Sequence, residues 1–150
     1  MQPVLGRRAF VTHGAATVGG IFLGVSIVGG QDQTIMTVRG SVSSAGLGPF
    51  LPHEHVMSSF GATDEQAAAY NRGIVFDAVT PYLRSVYKLG CSTIADCTAA
   101  YFGRDPVLLK HLSETTGLHV LTNTGYYGAA NDRYVPQHAY QEGPEQLADR

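Results

Sequence analysis

From Cys91 to Thr124 the chain reads strand, helix, strand with little slack between the elements, and no other stretch constrains the fold as strongly. Cys91-Ser92-Thr93-Ile94-Ala95-Asp96-Cys97-Thr98 is short and mostly small or apolar, as a buried strand is. A loop from Ala99 to Arg104 leads to Asp105-Pro106, an N-cap followed by proline at the first helical position. Val107, Leu108, Leu109 and Leu112 supply the apolar face of the helix, and Gly117 ends it. His119-Val120-Leu121-Thr122-Asn123-Thr124 is the next strand, broken by Gly125. Strands alternating with helices pair in parallel through right-handed crossovers. The pattern therefore predicts an α/β fold.

Upstream, Thr34-Ile35-Met36-Thr37-Val38-Arg39 has high β-propensity, and Gly40 to Gly48 is rich in glycine and serine, as a loop is. The apolar run Pro49 to His55 follows, and residues 34–39 and 49–55 are expected to pair as a small hairpin. Thr63 and Gln66 have the spacing of a capping box, so a helix starts at Thr63 and fails near Asn71-Arg72-Gly73. Val75, Val79, Leu83, Val86 and Tyr87 give a second helix one buried face. Pro81 is either its first residue after a Thr80 cap or a kink, and Gly90 caps its end. Tyr126 to Gln141 is a long loop, and Gly143-Pro144-Glu145 opens a last helix.

In parallel α/β folds, functional side chains gather at the C-terminal ends of the strands. His53 and His55 lie at such an end, and so do Asp96, Thr98, Thr124 and Tyr127. Strand alternation turns His53 and His55 to one face and Glu54 to the other, the two histidine backbones roughly 6.6 Å apart. Two imidazoles at that spacing can converge on one metal ion. A bare H-x-H pair also occurs on surfaces and in loops, so the pair alone does not decide the matter. His13, His111 and His119 read as structural, and His138 sits in the third loop within reach of the mouth. Asp96 orients a ligand from behind or is simply satisfied at its strand end.

The first thirty residues have a different character. Arg7-Arg8 precede a glycine-rich, mildly apolar run whose centre, Ile21 to Val28, is too short to span a membrane. A charged head, short apolar centre and small residues after it describe an export signal, here of twin-arginine type, placing the protein in the periplasm or outside the cell. The alternatives are an N-terminal membrane anchor or an amphipathic segment. Cys91 and Cys97 share one strand, roughly 20 Å apart, and are not expected to form a disulfide. With 15% charged residues and a net charge of −2, the chain carries no basic surface for nucleic acid.

Several blocks together resemble the phosphotriesterase family of the amidohydrolase superfamily. They are Thr37-Val38-Arg39-Gly40, Gly48-Pro49-Phe50-Leu51-Pro52-His53-Glu54-His55, Leu89 to Thr98, Gly103-Arg104-Asp105-Pro106, and Thr116 to Tyr127, in the family's order and spacing. The resemblance covers residues 34 to 150. It implies the N-terminal portion, about three βα units, of a (β/α)8 TIM barrel, preceded by the short hairpin. It also implies a two-metal centre at the C-terminal mouth, with zinc as the expected ion. His53 and His55 inherit the role of ligands to the more buried metal, and Tyr127 matches a residue lining the leaving-group pocket. The family's bridging carboxylated lysine, two further histidines and an aspartate come from later strands. The implied reaction is hydrolysis of a phosphotriester, lactone or other small-molecule ester by a metal-activated hydroxide, in a homodimer when complete.

A barrel of this type needs about 250 residues, and the chain has 150 in all. Residues 31–150 are therefore expected to be an incomplete barrel, cut before the fourth strand, and inactive alone. The alternative is a non-catalytic exported remnant that binds metal weakly or self-associates.

Overall fold

The computed structural model describes residues 32–150. The expected export signal, residues 1–30, lies outside the described residues. Five strands and four helices are laid out in chain order: β1 (Thr34–Thr37), β2 (Gly40–Ser43), β3 (Phe50–Glu54), α1 (Asp64–Ala68), α2 (Arg72–Lys88), β4 (Thr93–Asp96), α3 (Pro106–Thr116), β5 (His119–Thr122) and α4 (Pro144–Ala148). Short helical turns occupy Ser44–Gly46, Ala129–Asp132 and Gln137–Tyr140. The main sheet has the order β3-β4-β5, and both pairings are parallel. This is the alternating architecture that the sequence predicts.

The hairpin is a correction. β1 pairs antiparallel with β2, Thr37 opposite Gly40, and not with residues 49–55. The cause is the turn. Gly40 takes φ 109°, open to glycine, and Thr37 Oγ1 donates to the Gly40 carbonyl at 2.8 Å and accepts from Arg39 N at 3.2 Å. With the chain reversed there, Gly40–Ser43 is strand rather than loop. Residues 50–54 are left free to pair with β4, Leu51 beside Ile94. A register shift between Leu51 and Glu54 interrupts that ladder. β3 is an edge strand, and Pro52 is tolerated there because an edge N–H need not enter a ladder.

α1 starts with the predicted capping box: Thr63 accepts from Gln66 N at 3.2 Å, and the Gln66 side chain accepts from Thr63 N at 2.9 Å. Asn71 caps α2 through Ile74 N, which is why α1 fails there and a new helix begins. α2 runs through Pro81, so Pro81 is not a first residue and Thr80 is not a cap. Thr80 instead donates to the Phe76 carbonyl at 2.6 Å within the helix. α3 ends at Gly117 in the left-handed conformation, φ 86°, as the sequence predicts.

One core holds the sheet to its helices. Ile94 and Val120 from the strands meet Leu83 of α2 and Leu108, Leu109, Leu112 and Leu118 on or just after α3. Val107 does not join them. It is 59% exposed, because its position in the first turn of α3 faces away from the sheet. Of the α2 face, Leu83 is buried, Val75 and Val79 pack partly against the core, and Tyr87 stays 48% exposed.

Asp105 fixes where α3 enters. Its Oδ1 accepts from Val107 N and Leu108 N at 3.0 Å each, and its Oδ2 accepts from Arg72 Nε at 2.7 Å and Tyr70 Oη at 2.9 Å. Burial alone would raise this carboxyl, but the hydrogen bonds from Arg72, the Leu108 N–H and Tyr70 outweigh it and hold it below the ordinary 3.8. Burial, with the bond to Asp105, pushes the Tyr70 hydroxyl up to about 12. A depressed carboxylate adds stability above its unfolded pKa and loses it as pH falls through the folded one. Asp105→Ala is expected to cost about 1–2 kcal/mol at neutral pH. The deficit should shrink below about pH 3.8 in urea titrations across pH; a deficit that does not vary with pH would contradict this.

Candidate metal centre

β3 ends in His53 and Glu54, and His55 follows directly. The two imidazole rings stand edge to face, centroids 5.3 Å apart at 72°. The two rings therefore lie side by side at the strand end. Glu54 lines a groove with Val79 and Tyr82 of α2, and His55 borders that groove as well. His53 and His55 open into a cavity of about 470 Å³ that they share with Ser58, Phe60, Cys97, Phe102 and Tyr127. Cys97 comes from the end of the neighbouring strand, whose backbone N–H donates to the Glu54 carbonyl at 2.8 Å.

The orientation of His55 is set from behind. Thr98 Oγ1 lies 3.1 Å from His55 Nδ1, 3.1 Å from Asp96 Oδ1 and 3.0 Å from the Met57 carbonyl. A hydroxyl has one proton, and the carboxylate and carbonyl can only accept it. If Thr98 donates to one of those two, it accepts from His55 Nδ1–H. That arrangement puts the lone pair on His55 Nε2, the nitrogen free to meet a metal.

Asp96 is 2% exposed and also accepts from Val56 N at 2.9 Å, so it clamps the backbone just past the histidines. Burial pushes its carboxyl above the ordinary value, against the pull of the Val56 and Thr98 hydrogen bonds and the nearby His55.

The other predicted residues separate. Tyr127 reaches the histidine cavity, its ring 4.4 Å from that of Phe102. Thr124 lines a different cavity, with Tyr101, Arg104 and Tyr126. His138 does not line the histidine cavity; its Nε2 is held 2.8 Å from Tyr126 Oη. His111 stacks on Phe76 with centroids 4.5 Å apart, and His119 Nδ1 lies 3.3 Å from Arg39 Nη2. Cys91 and Cys97 are both free, as expected.

Sequence reasoning missed Ser58, Phe60, Phe102 and the place of Cys97 in this cavity. A signal existed for the two phenylalanines. Each follows a strand and precedes a glycine with positive φ, Gly61 at 73° and Gly103 at 112°. Gly103 is required by contact as well: a Cβ there would stand 3.0 Å from Ser59 N and 3.1 Å from Ser58 Cα.

The donor chemistry fits a divalent metal such as zinc in part. Two imidazoles, one hydrogen-bonded from behind, are two of the three protein ligands usual at a catalytic zinc. Among the described residues, no group of three or more His, Cys, Asp or Glu side chains is placed to hold a metal ion.

The buried Asp96 clamp makes a test. Asp96→Ala leaves Val56 N–H unpaired and is expected to cost about 1–3 kcal/mol in urea denaturation, with faster amide exchange at Val56. Asp96→Asn keeps an acceptor oxygen and should lose less than half as much. Equal losses would show that the charge, not the hydrogen bonds, carries the effect.

The model of the phosphotriesterase family matches residues 33–150. The organophosphorus hydrolase from Deinococcus radiodurans is 35% identical; the match covers 65% of this chain and 30% of that one, with a TM-score of 0.58. A double mutant of that enzyme is 34% identical, with 65% and 30% covered and a TM-score of 0.59. A structure described as organophosphate hydrolysis activity engineered from a weak promiscuous lactonase template is 32% identical, covering 73% of this chain and 35% of that one, with a TM-score of 0.61. The chain thus spans about a third of the length of these solved relatives. Its parallel strands and helices correspond to part of a TIM barrel.

Proposed function

The chain belongs to the phosphotriesterase family, and we propose that the whole protein is a metal-dependent hydrolase of phosphotriester, lactone or other ester bonds. The observation that carries this reading is the paired imidazoles of His53 and His55 at a strand end, opening into a cavity with Tyr127. The names of the solved relatives mention organophosphorus hydrolysis and a lactonase template, which supports the phosphotriester and lactone parts of this reading.

His53 and His55 would hold one of two divalent cations, zinc being the first to try, with the remaining ligands supplied from later strands of a closed barrel. When bound, such ions lower the pKa of water and polarise a phosphoryl or carbonyl oxygen. The residues of this chain do the rest. Thr98 holds the His55 ring through Nδ1. Asp96 holds the turn that carries His55. Tyr127 and the Phe102 ring beside it give the substrate an apolar wall and keep water from it.

A second reading has one observation in its favour. Every residue of β3 is exposed, with Phe50 45% and Leu51 37% accessible, so this edge is open to another copy of the chain. On that reading the product is a non-catalytic remnant that self-associates or binds metal weakly.

Metal content and turnover decide between them. The hydrolase should hold about two zinc ions per chain, hydrolyse a neutral phosphotriester or a lactone, lose activity to a chelator and regain it with zinc. Thr98→Val should weaken zinc binding by roughly 10–100-fold, and His55→Ala by more, in equilibrium dialysis. One ion or none, without turnover and with a concentration-dependent mass in sedimentation, would establish the remnant instead.

A further inference from the structure

The cavity beside the histidines has one wall that neither the family match nor the hydrogen-bond network explains. Phe60 is 70% exposed, yet it lines the cavity together with His53, His55 and Tyr127. Its ring meets Phe102 edge-on, centroids 6.1 Å apart at 79°. Phe102 itself is fixed. It is 5% exposed and wedged between Tyr127 at 4.4 Å and Tyr134 at 4.8 Å.

The backbone around Phe60 is also fixed. Ser59 N donates to the Phe102 carbonyl at 2.9 Å, and Ala62 N donates to the Ser59 carbonyl at 3.0 Å. The Phe60 ring is thus a largely exposed apolar surface on a pinned base, beside a rigid aromatic cluster and lining the cavity. Its exposure is a cost that an apolar ligand would remove. Apart from the histidines, the described residues that line the cavity are uncharged, and Phe60, Phe102 and Tyr127 make its wall aromatic.

We propose that Phe60 determines specificity at this cavity, seating one planar apolar arm of a neutral substrate against its ring. The proposal rests on the hydrolase reading for the word substrate, and on the cavity alone for the binding of a neutral aromatic. Phe102 serves as the fixed backing that sets the angle of the Phe60 ring. Small alkyl arms do not span the ring and depend on it little.

The test compares Phe60→Ala with Phe60→Tyr in the full-length protein, on a neutral aryl ester and its ethyl counterpart. Phe60→Ala should raise KM for the aryl ester about tenfold with kcat little changed, leave the ethyl ester within about twofold, and be rescued by Phe60→Tyr. Equal losses on both esters, or no loss on either, overturn the proposal.

A binding readout separates it from the hydrolase reading. The 150 residues contain no tryptophan, so Phe60→Trp places the only one among them in the cavity. Titration of this chain with 4-nitroanisole, a neutral nitroaromatic with no ester to cleave, should quench the indole saturably. Quenching without any ester turnover by the full-length protein would sink the hydrolase reading and leave Phe60 as a binding wall. Absence of saturable quenching overturns the role of Phe60 whatever the turnover.

Discussion

The Asp96 carboxylate is the tie on which the rest of the site depends. It stands at the end of the central strand of the sheet, almost out of reach of solvent. From there it holds the backbone of the neighbouring strand's exit at Val56 and, through the Thr98 hydroxyl, the ring of His55. A buried carboxyl is costly unless its oxygens are occupied. Here the occupants are the groups whose positions matter for the histidine pair, so desolvation and orientation are met by the same few atoms.

The fold was largely legible because its strongest signals are local. Asp105-Pro106 and Gly117 bracket α3 by rules of capping and left-handed backbone, and Thr63 with Gln66 opens α1 the same way. The errors lie where the decisive contact is distant or the side chains are silent. Gly40–Ser43 has too little side-chain character to announce a strand, and its pairing is decided by one glycine turn. Pro81 reads either as a first helical residue or as a kink within the helix, and α2, held on the sheet by Leu83 and its partners, runs past it. Val107 fits the apolar pattern of α3 and still faces solvent, since a first-turn residue need not share the face that packs.

The site divides along similar lines. The face shared by His53 and His55 follows from strand alternation, which any short extended run obeys. Which third-loop aromatic reaches the cavity came from resemblance, and Tyr127 does line it. Phe60 and Phe102 each precede a glycine, but they sit in loops after two different strands, and only the sheet brings those loops together. Thr98 is placed at the functional strand ends by the sequence, but its role needs the contact to His55, 3.1 Å away.

Pro52 carries a further implication. It lies in the edge strand one residue before the histidines, and it has no N–H to offer. Any strand laid along that edge meets a gap in the row of donors at this one point. Only alignments that leave the gap unopposed keep a full ladder, and a shift by one residue forfeits a bond. The edge thus acts as a key with one notch, restricting how a neighbouring strand can slide beside His53.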